Sequence, residues 1–335
     1  MVHRLTIIVA LGALACCGCT RATRNDSSIT PSECSIGTEE QFQVHTAPGP
    51  VLSLCAEGPN TLIVVCATKG GVEIRRVKCG LATQSMVVHG ELTCIEWSMR
   101  GSRVAIGVRQ DKPYRLVGYS LDFPSWTLRK DIELPLEDTA DGTDGSELLD
   151  VECLEDLSTI WLAWGKGAYH VKDGVVAEKL NVPRTALSLR TRAGSPDELI
   201  CGDSDGDIWV VSGGMLAPTF NAGMFIECVR PLPEGRLLVV GQESAYVPGG
   251  IPLRVFSISG ERLWSRDCDS GIHILTDYLY MHASSSRIQK VTLEGRIVAS
   301  YDVPPGLLSA MAVVRGGSGG LLLGYKSGDV FEIES

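Results

Sequence analysis

One hairpin pattern, repeated along the chain, restricts the fold more than any other feature of the sequence. The unit is a short apolar run ending in a small residue, a three-residue gap, a glycine-favouring turn position, one more residue and a second apolar run. It occurs as Cys66, Gly70 and Val72 in CATKGGV, and as Ala163, Gly167 and Tyr169 in AWGKGAY. It recurs as Gly202, Gly206 and Ile208 in GDSDGDI, and as Gly324, Gly328 and Val330 in GYKSGDV. HASSSRI places His282, Ser286 and Ile288 in the same positions, and two copies with longer turns reach Leu116 and Leu253. The anchors Val72, Leu116, Tyr169, Ile208, Leu253, Ile288 and Val330 lie 35 to 53 residues apart, a range that indicates one structural unit copied in tandem. The longest interval holds the acidic insertion EDTADGTDGSE at 137–147.

Two further signals run in phase with the hairpin. A polar-glycine turn precedes another strand at Asp173-Gly174, Ser212-Gly213, Ser259-Gly260 and Glu294-Gly295. Upstream of each hairpin lies one more apolar run: VLSLC, LTCIEW, LLDVECL, ALSLR, FIECV, IHIL and LLSAMAVV. Each unit therefore holds four short strands joined by tight turns, the size and content of one β-propeller blade. The last unit stops after its third strand, at GDVFEIES, and EQFQVHT at 40–46 is placed to supply the fourth. The expected fold is an all-β, seven-bladed propeller whose N-terminal strand closes the last blade, since closure removes the exposed edges of the sheets.

At LTCIEWSMRGSRVAIG the chain resembles a WD40 blade, in which an aromatic-Ser-x-x-Gly turn precedes an apolar run. No Trp-Asp dipeptide occurs, so the hydrogen-bonded network of that family has no matching residues here. At VFSISGERLWS, ending on Trp264-Ser265, the chain looks like a quinoprotein-type repeat, with VTLEGRIVAS as an echo. Together these resemblances imply a degenerate propeller over 40–335, treated as one domain.

The N-terminus reads as an address. Arg4 is followed by the apolar run Leu5–Ala15, too short to span a bilayer and suited to a secretory signal. It ends in LACCGC, which resembles a bacterial lipoprotein signal and implies acylation at Cys19, with Cys16 and Cys17 as alternatives. The division that follows is a signal peptide at 1–19, a Ser- and Thr-rich flexible tether at 20–39, and the propeller at 40–335. The expected location is the bacterial cell envelope, periplasm or cell surface, with the membrane as a partner through the lipid.

The net charge of −10 and the absence of a long basic run argue against nucleic acid as a partner. Nine cysteines follow the signal, and no CxxC occurs among them, which weakens a zinc or redox reading. Cys55, Cys94, Cys153 and Cys228 fall near the ends of successive first strands and read as small buried hydrophobes. The turn GDSDGDIW presents Asp203, Asp205 and Asp207 in alternation, a spacing that can wrap calcium, although an Asp-Gly turn accounts for it equally. No serine-hydrolase elbow, HExxH, P-loop or dinucleotide fingerprint is present, and neither catalytic residues nor a cofactor are expected. The expected role is a non-enzymatic scaffold presenting its loop faces to a protein or extended ligand. The competing expectation is an exported lactonase, dehydrogenase or lyase with a site at the mouth of the central channel.

Overall fold

In the computed structural model the described residues are 41–58, 60–97, 103–110, 115–135, 148–153, 159–164, 167–173, 175–181, 186–192, 195–212, 215–242, 251–268, 272–275, 278–313 and 320–333. The Cys16, Cys17 and Cys19 sites, the tether, the 137–147 insertion and the Arg100-Gly101 turn lie outside them. Strand β1 is Gln41–Thr46. Sheet I holds β2 (Val51–Gly58), β3 (Thr61–Thr68), β4 (Gly71–Lys78) and β5 (Leu81–His89). Sheet II holds β6 (Glu91–Trp97), β7 (Arg103–Gln110), β8 (Arg115–Asp122) and β9 (Thr127–Pro135). Sheet III holds β10 (Leu148–Cys153), β11 (Thr159–Trp164), β12 (Gly167–Lys172) and β13 (Val175–Asn181). Sheet IV holds β14 (Ala186–Arg192), β15 (Ser195–Asp203), β16 (Asp207–Ser212) and β17 (Met215–Asn221). Sheet V holds β18 (Phe225–Leu232), β19 (Arg236–Gln242), β20 (Ile251–Ser257) and β21 (Arg262–Cys268). Sheet VI holds β22 (Ile272–Leu275), β23 (Tyr278–Ser284), β24 (Arg287–Thr292) and β25 (Ile297–Asp302). Sheet VII holds β26 (Leu308–Val313), β27 (Leu321–Tyr325) and β28 (Asp329–Ile333), with β1 paired antiparallel to β28 as its outermost strand.

Every strand pair is antiparallel and sequential, apart from the β1–β28 pair that joins the two ends of the described chain. Sheet I meets sheet II through β4 and β6, and contacts then pass through β6 and β10, β10 and β14, and β14 and β18. They continue through β21 and β23 and through β22 and β26, and return to sheet I through β26 and β2. Each sheet thus has two neighbours, and the architecture is a β-propeller.

The core lies as slabs between the sheets, which explains the uninterrupted apolar runs. Successive side chains of a strand point to opposite faces. In β3, Ile63 and Val65 pack toward sheet II with Ile95, Ile106 and Val108, while Leu62, Val64 and Cys66 pack toward sheet VII with Ala310 and Leu322. A strand buried on both faces must be apolar at every position, whereas the fourth strands, such as β5 and β21, are mostly exposed. Each fully buried Ile or Leu contributes about 1.5–3 kcal/mol relative to exposure.

The small residue ending the second strand of the repeat makes room for the neighbouring sheet. A Cβ at Gly202 would lie 2.6 Å from Ile226 of sheet V, and one at Gly324 would lie 2.5 Å from Val51 of sheet I. Either distance is a steric clash, so glycine is what allows the two sheets to approach.

The antiparallel order defines two rims. The upper rim carries the turns between second and third strands and the links from sheet to sheet. The lower rim carries the turns between first and second and between third and fourth strands. Arg76 clamps sheets I and II together from β4. Its guanidinium donates to Glu57 at 2.8 Å, to Gln84 at 2.7 Å and to the Phe123 carbonyl at 3.0 Å, and it lies 5.2 Å from the Trp126 ring.

Candidate interaction face

A cleft of about 820 Å³ opens on the upper rim between sheets I and II. Its floor and walls combine the apolar side chains of Leu52, Val72 and Leu92 with the glycine-rich turns at Gly70-Gly71 and Gly90. Charge is supplied by the hairpin of β7 and β8. Arg109 pairs with Glu91 across β6 and β7, and Arg115 pairs with Glu133 across β8 and β9, each at 2.5 Å. Arg115 also donates to Gln110 at 2.7 Å, and Gln110 donates to the His89 carbonyl at 2.9 Å. Hydrogen bonds from Lys130 and Arg115 hold the Glu133 carboxyl below the usual carboxylate range, so it is ionised at neutral pH. The cleft thus offers apolar surface and two guanidiniums held in place by Glu91 and Glu133, a combination suited to an extended chain whose carboxylates can share those cations.

The acidic turn of sheet IV is organised from within. Asp203 is 1% exposed. Its Oδ1 accepts the backbone N–H groups of Asp205 and Asp207 at 2.9 and 3.0 Å, and its Oδ2 accepts the Trp209 indole N–H at 3.0 Å. The Asp207 carboxylate accepts from Asn221 at 2.7 Å. These N–H donors supply the partners that the carboxylates of Asp203 and Asp207 need. Among the described residues, no three His, Cys, Asp or Glu side chains lie close enough together to hold a metal ion.

The histidines are dispersed. His45 meets the Gly80 carbonyl at 3.1 Å, tying β1 to sheet I, and His170 is buried in β12. His273 and His282, on neighbouring strands of sheet VI, have ring centroids 5.9 Å apart and are both buried.

Seven described cysteines, at 55, 66, 79, 94, 201, 228 and 268, are not joined in disulfides, and all but Cys79 are buried. Cys34 and the Cys153 side chain lie outside the described residues. Burial first, then the nearby Glu73 charge, pushes the Cys66 thiol up to about 11, against the pull of Arg75, which leaves it unreactive at neutral pH.

The register refines the expected equivalence of the first-strand cysteines. Cys94 and Cys228 each follow a β-bulge, whereas in β2 the residue after the corresponding bulge is Ser53, two positions before Cys55. In β10 that place belongs to Asp150, three positions before Cys153. A bulge adds one residue on one strand only, so counting along the sequence does not reveal this register. The repeat pattern also did not reveal the Arg76 clamp, whose Phe123 and Trp126 partners come from another unit, or the charged wall of the cleft, whose ion pairs join neighbouring strands within sheet II.

No protein-family model matches the chain, and no curated protein matches it either. Solved structures do. The computationally designed Ika8 protein is 14% identical with a TM-score of 0.56, over 88% of this chain and 99% of that one. The WD40 β-propeller domain of Doa1 is 12% identical with a TM-score of 0.57, over 85% of this chain and 93% of that one. At such identities the likeness is one of fold: the chain is a β-propeller resembling the WD40 type.

Proposed function

We propose that this chain is an exported, lipid-anchored, seven-bladed propeller that holds a protein partner on its upper rim, in the cleft between sheets I and II. The observation that carries this reading is the cleft itself, large enough for an extended segment and walled by Arg109 and Arg115. Propellers of the WD40 type commonly serve as interaction scaffolds, and binding sites gather on loops held by a rigid frame. The seven sheets act as seven blades, and β1 holds the ring closed. The quinoprotein-like pattern belongs to the same reading, and where sheets IV, V and VI meet, Phe220 packs against Gly260 and Trp264 against Gly295. Anchoring is through an acylated Cys19 at the end of the lipoprotein-like signal.

The test is cross-linking capture from envelope membranes with the full-length protein and an Arg109→Glu, Arg115→Glu variant. Reversing two oriented cations is expected to weaken capture at least about tenfold, since charge-assisted contacts contribute on the order of 1.5–3 kcal/mol each. Equal capture by both proteins, or turnover of a small substrate with no partner recovered, overturns the reading. Intact-mass measurement of the membrane fraction reads the lipid on Cys19.

A further inference from the structure

Of the eleven large exposed apolar side chains among the described residues, Val87, Phe225 and Leu307 lie toward the upper rim, and the other eight gather at one place in the repeat. Leu81 opens β5, Val175 and Val176 open β13, Met215 opens β17, and Ile297 and Val298 open β25. Leu263 is the second residue of β21, and Ile258 lies in the turn just before it. The cross-strand pairs Lys78 with Leu81, Lys172 with Val175, and Ser212 with Met215 put these positions beside the third-to-fourth turns. All eight side chains therefore sit on the lower rim, one or more from each of sheets I, III, IV, V and VI. Their exposure is high: 73% at Leu81, 67% at Val175 and 74% at Met215. Isolated apolar residues on a surface need no explanation, but a series recurring at one place in successive units marks an interaction surface.

The route of the chain says what this rim meets. Strand β1 is the fourth strand of sheet VII, and Gln41 pairs with Ile333 at the end of β28. The chain therefore enters the fold at the lower rim. Between Cys19 and Gln41 lie the 21 residues 20–40. On the anchoring reading these residues are a polar tether, and a flexible chain of that length has an r.m.s. span of roughly 25 Å. Strands of four to nine residues make the ring about 15–30 Å thick, so the upper rim lies that much farther from the anchor.

We infer that the lower rim rests on the lipid surface, with Leu81, Val175, Met215 and Ile297 entering the headgroup layer while the upper rim faces away. This rests on the anchoring reading above and extends it by fixing which face meets the lipid. The driving force is apolar burial, as for other interfacial anchors, because a chain of net charge −10 gains nothing from anionic headgroups. An upper-rim cleft would then stand clear of the membrane and open to a soluble partner.

The test uses the full-length acylated protein in vesicles of phosphatidylcholine and phosphatidylethanolamine, with and without brominated phospholipid. Single variants Leu81→Trp, Met215→Trp and Ile297→Trp report from the lower rim, and Phe225→Trp and Leu307→Trp report from the upper. After subtraction of the parent signal, the lower-rim tryptophans are expected to be quenched about twofold, with no loss between low and high salt, as apolar docking requires. The upper-rim tryptophans should be unquenched. Equal quenching at all five positions on a vesicle-bound protein overturns the orientation and leaves the anchor standing. Absence of acylation and of vesicle binding overturns both. Lower-rim protection without lipid quenching, together with dimers in light scattering, assigns the rim to a second copy and overturns the lipid.

Discussion

The imidazole of His273 sits where only 3% of the residue reaches solvent, and its Nδ1 has no hydrogen-bond partner among the described residues. Burial, then the neighbouring His282 and Arg230, lowers its pKa to about 3. The ring is therefore neutral in the fold, whereas in the unfolded chain it takes up a proton near pH 6.5. Between those values the unfolded state binds more protons, so stability is complete above about pH 6.5 and falls as pH drops toward 3. The slope from this one group is at most about 1.4 kcal/mol per pH unit. His273→Phe is expected to flatten the fall in unfolding free energy between pH 6.5 and 5 by about 2 kcal/mol. Urea titrations at the two pH values check it, and an unchanged slope in the variant would show that His273 is protonated in the fold.

At the scale of the element, adjacent sheets are joined by an aromatic ring laid over a glycine turn. Trp264 of β21 donates its indole N–H to the Leu293 carbonyl at 2.8 Å in the β24–β25 turn. Gly295 in that turn has a φ of +84°, and a Cβ there would lie 2.9 Å from the Trp264 ring. Arg266 donates to the Gly295 carbonyl at 2.8 Å, and Arg236 reaches the Leu293 carbonyl at 3.1 Å. Gly295→Ala meets both the left-handed backbone and the ring, and is expected to cost about 1–3 kcal/mol. Gly58→Ala, whose Cβ would meet nothing within 4 Å, is the control and should change stability by less than about 0.5 kcal/mol. Thermal unfolding of the two variants separates them, and equal effects would mean that the ring-over-turn contact does not stabilise the joint.

For the whole molecule the decisive element is β1. The Gln43 side chain donates to Asp329 at 2.8 Å, the Ala47 N–H reaches the Gly328 carbonyl at 2.8 Å, and β1 covers the outer edge of β28. Removing residues through Thr46 uncovers that edge, with its row of unpaired backbone groups, and frees the two ends of the described chain. Truncation before Gln41 is expected to leave the melting temperature unchanged. Truncation through Thr46 should lower it by roughly ten degrees, with self-association seen in light scattering. Equal melting of the two truncations would mean that the ring holds without its terminal strand.

Much of this architecture was legible in the sequence, for a local reason. A four-stranded antiparallel sheet built from consecutive strands is specified by alternation and turn residues within about 45 residues, and each copy repeats the same instructions. The repeat anchors, from Val72 in β4 to Val330 in β28, fall in the third strands of their sheets, and EQFQVHT is the outer strand of sheet VII. What only the tertiary structure decided lies between the sheets. Arg76 meets the Phe123 carbonyl 47 positions away, and Ser309 donates to the Val51 carbonyl 258 positions away. The lower-rim apolar series emerges only once the strands share an axis. Such contacts depend on sheet twist, bulge register and the shapes of facing side chains, quantities that no local pattern encodes. The sequence by itself determined the units and their order, and the packing of unit against unit decided which side chains could form a site.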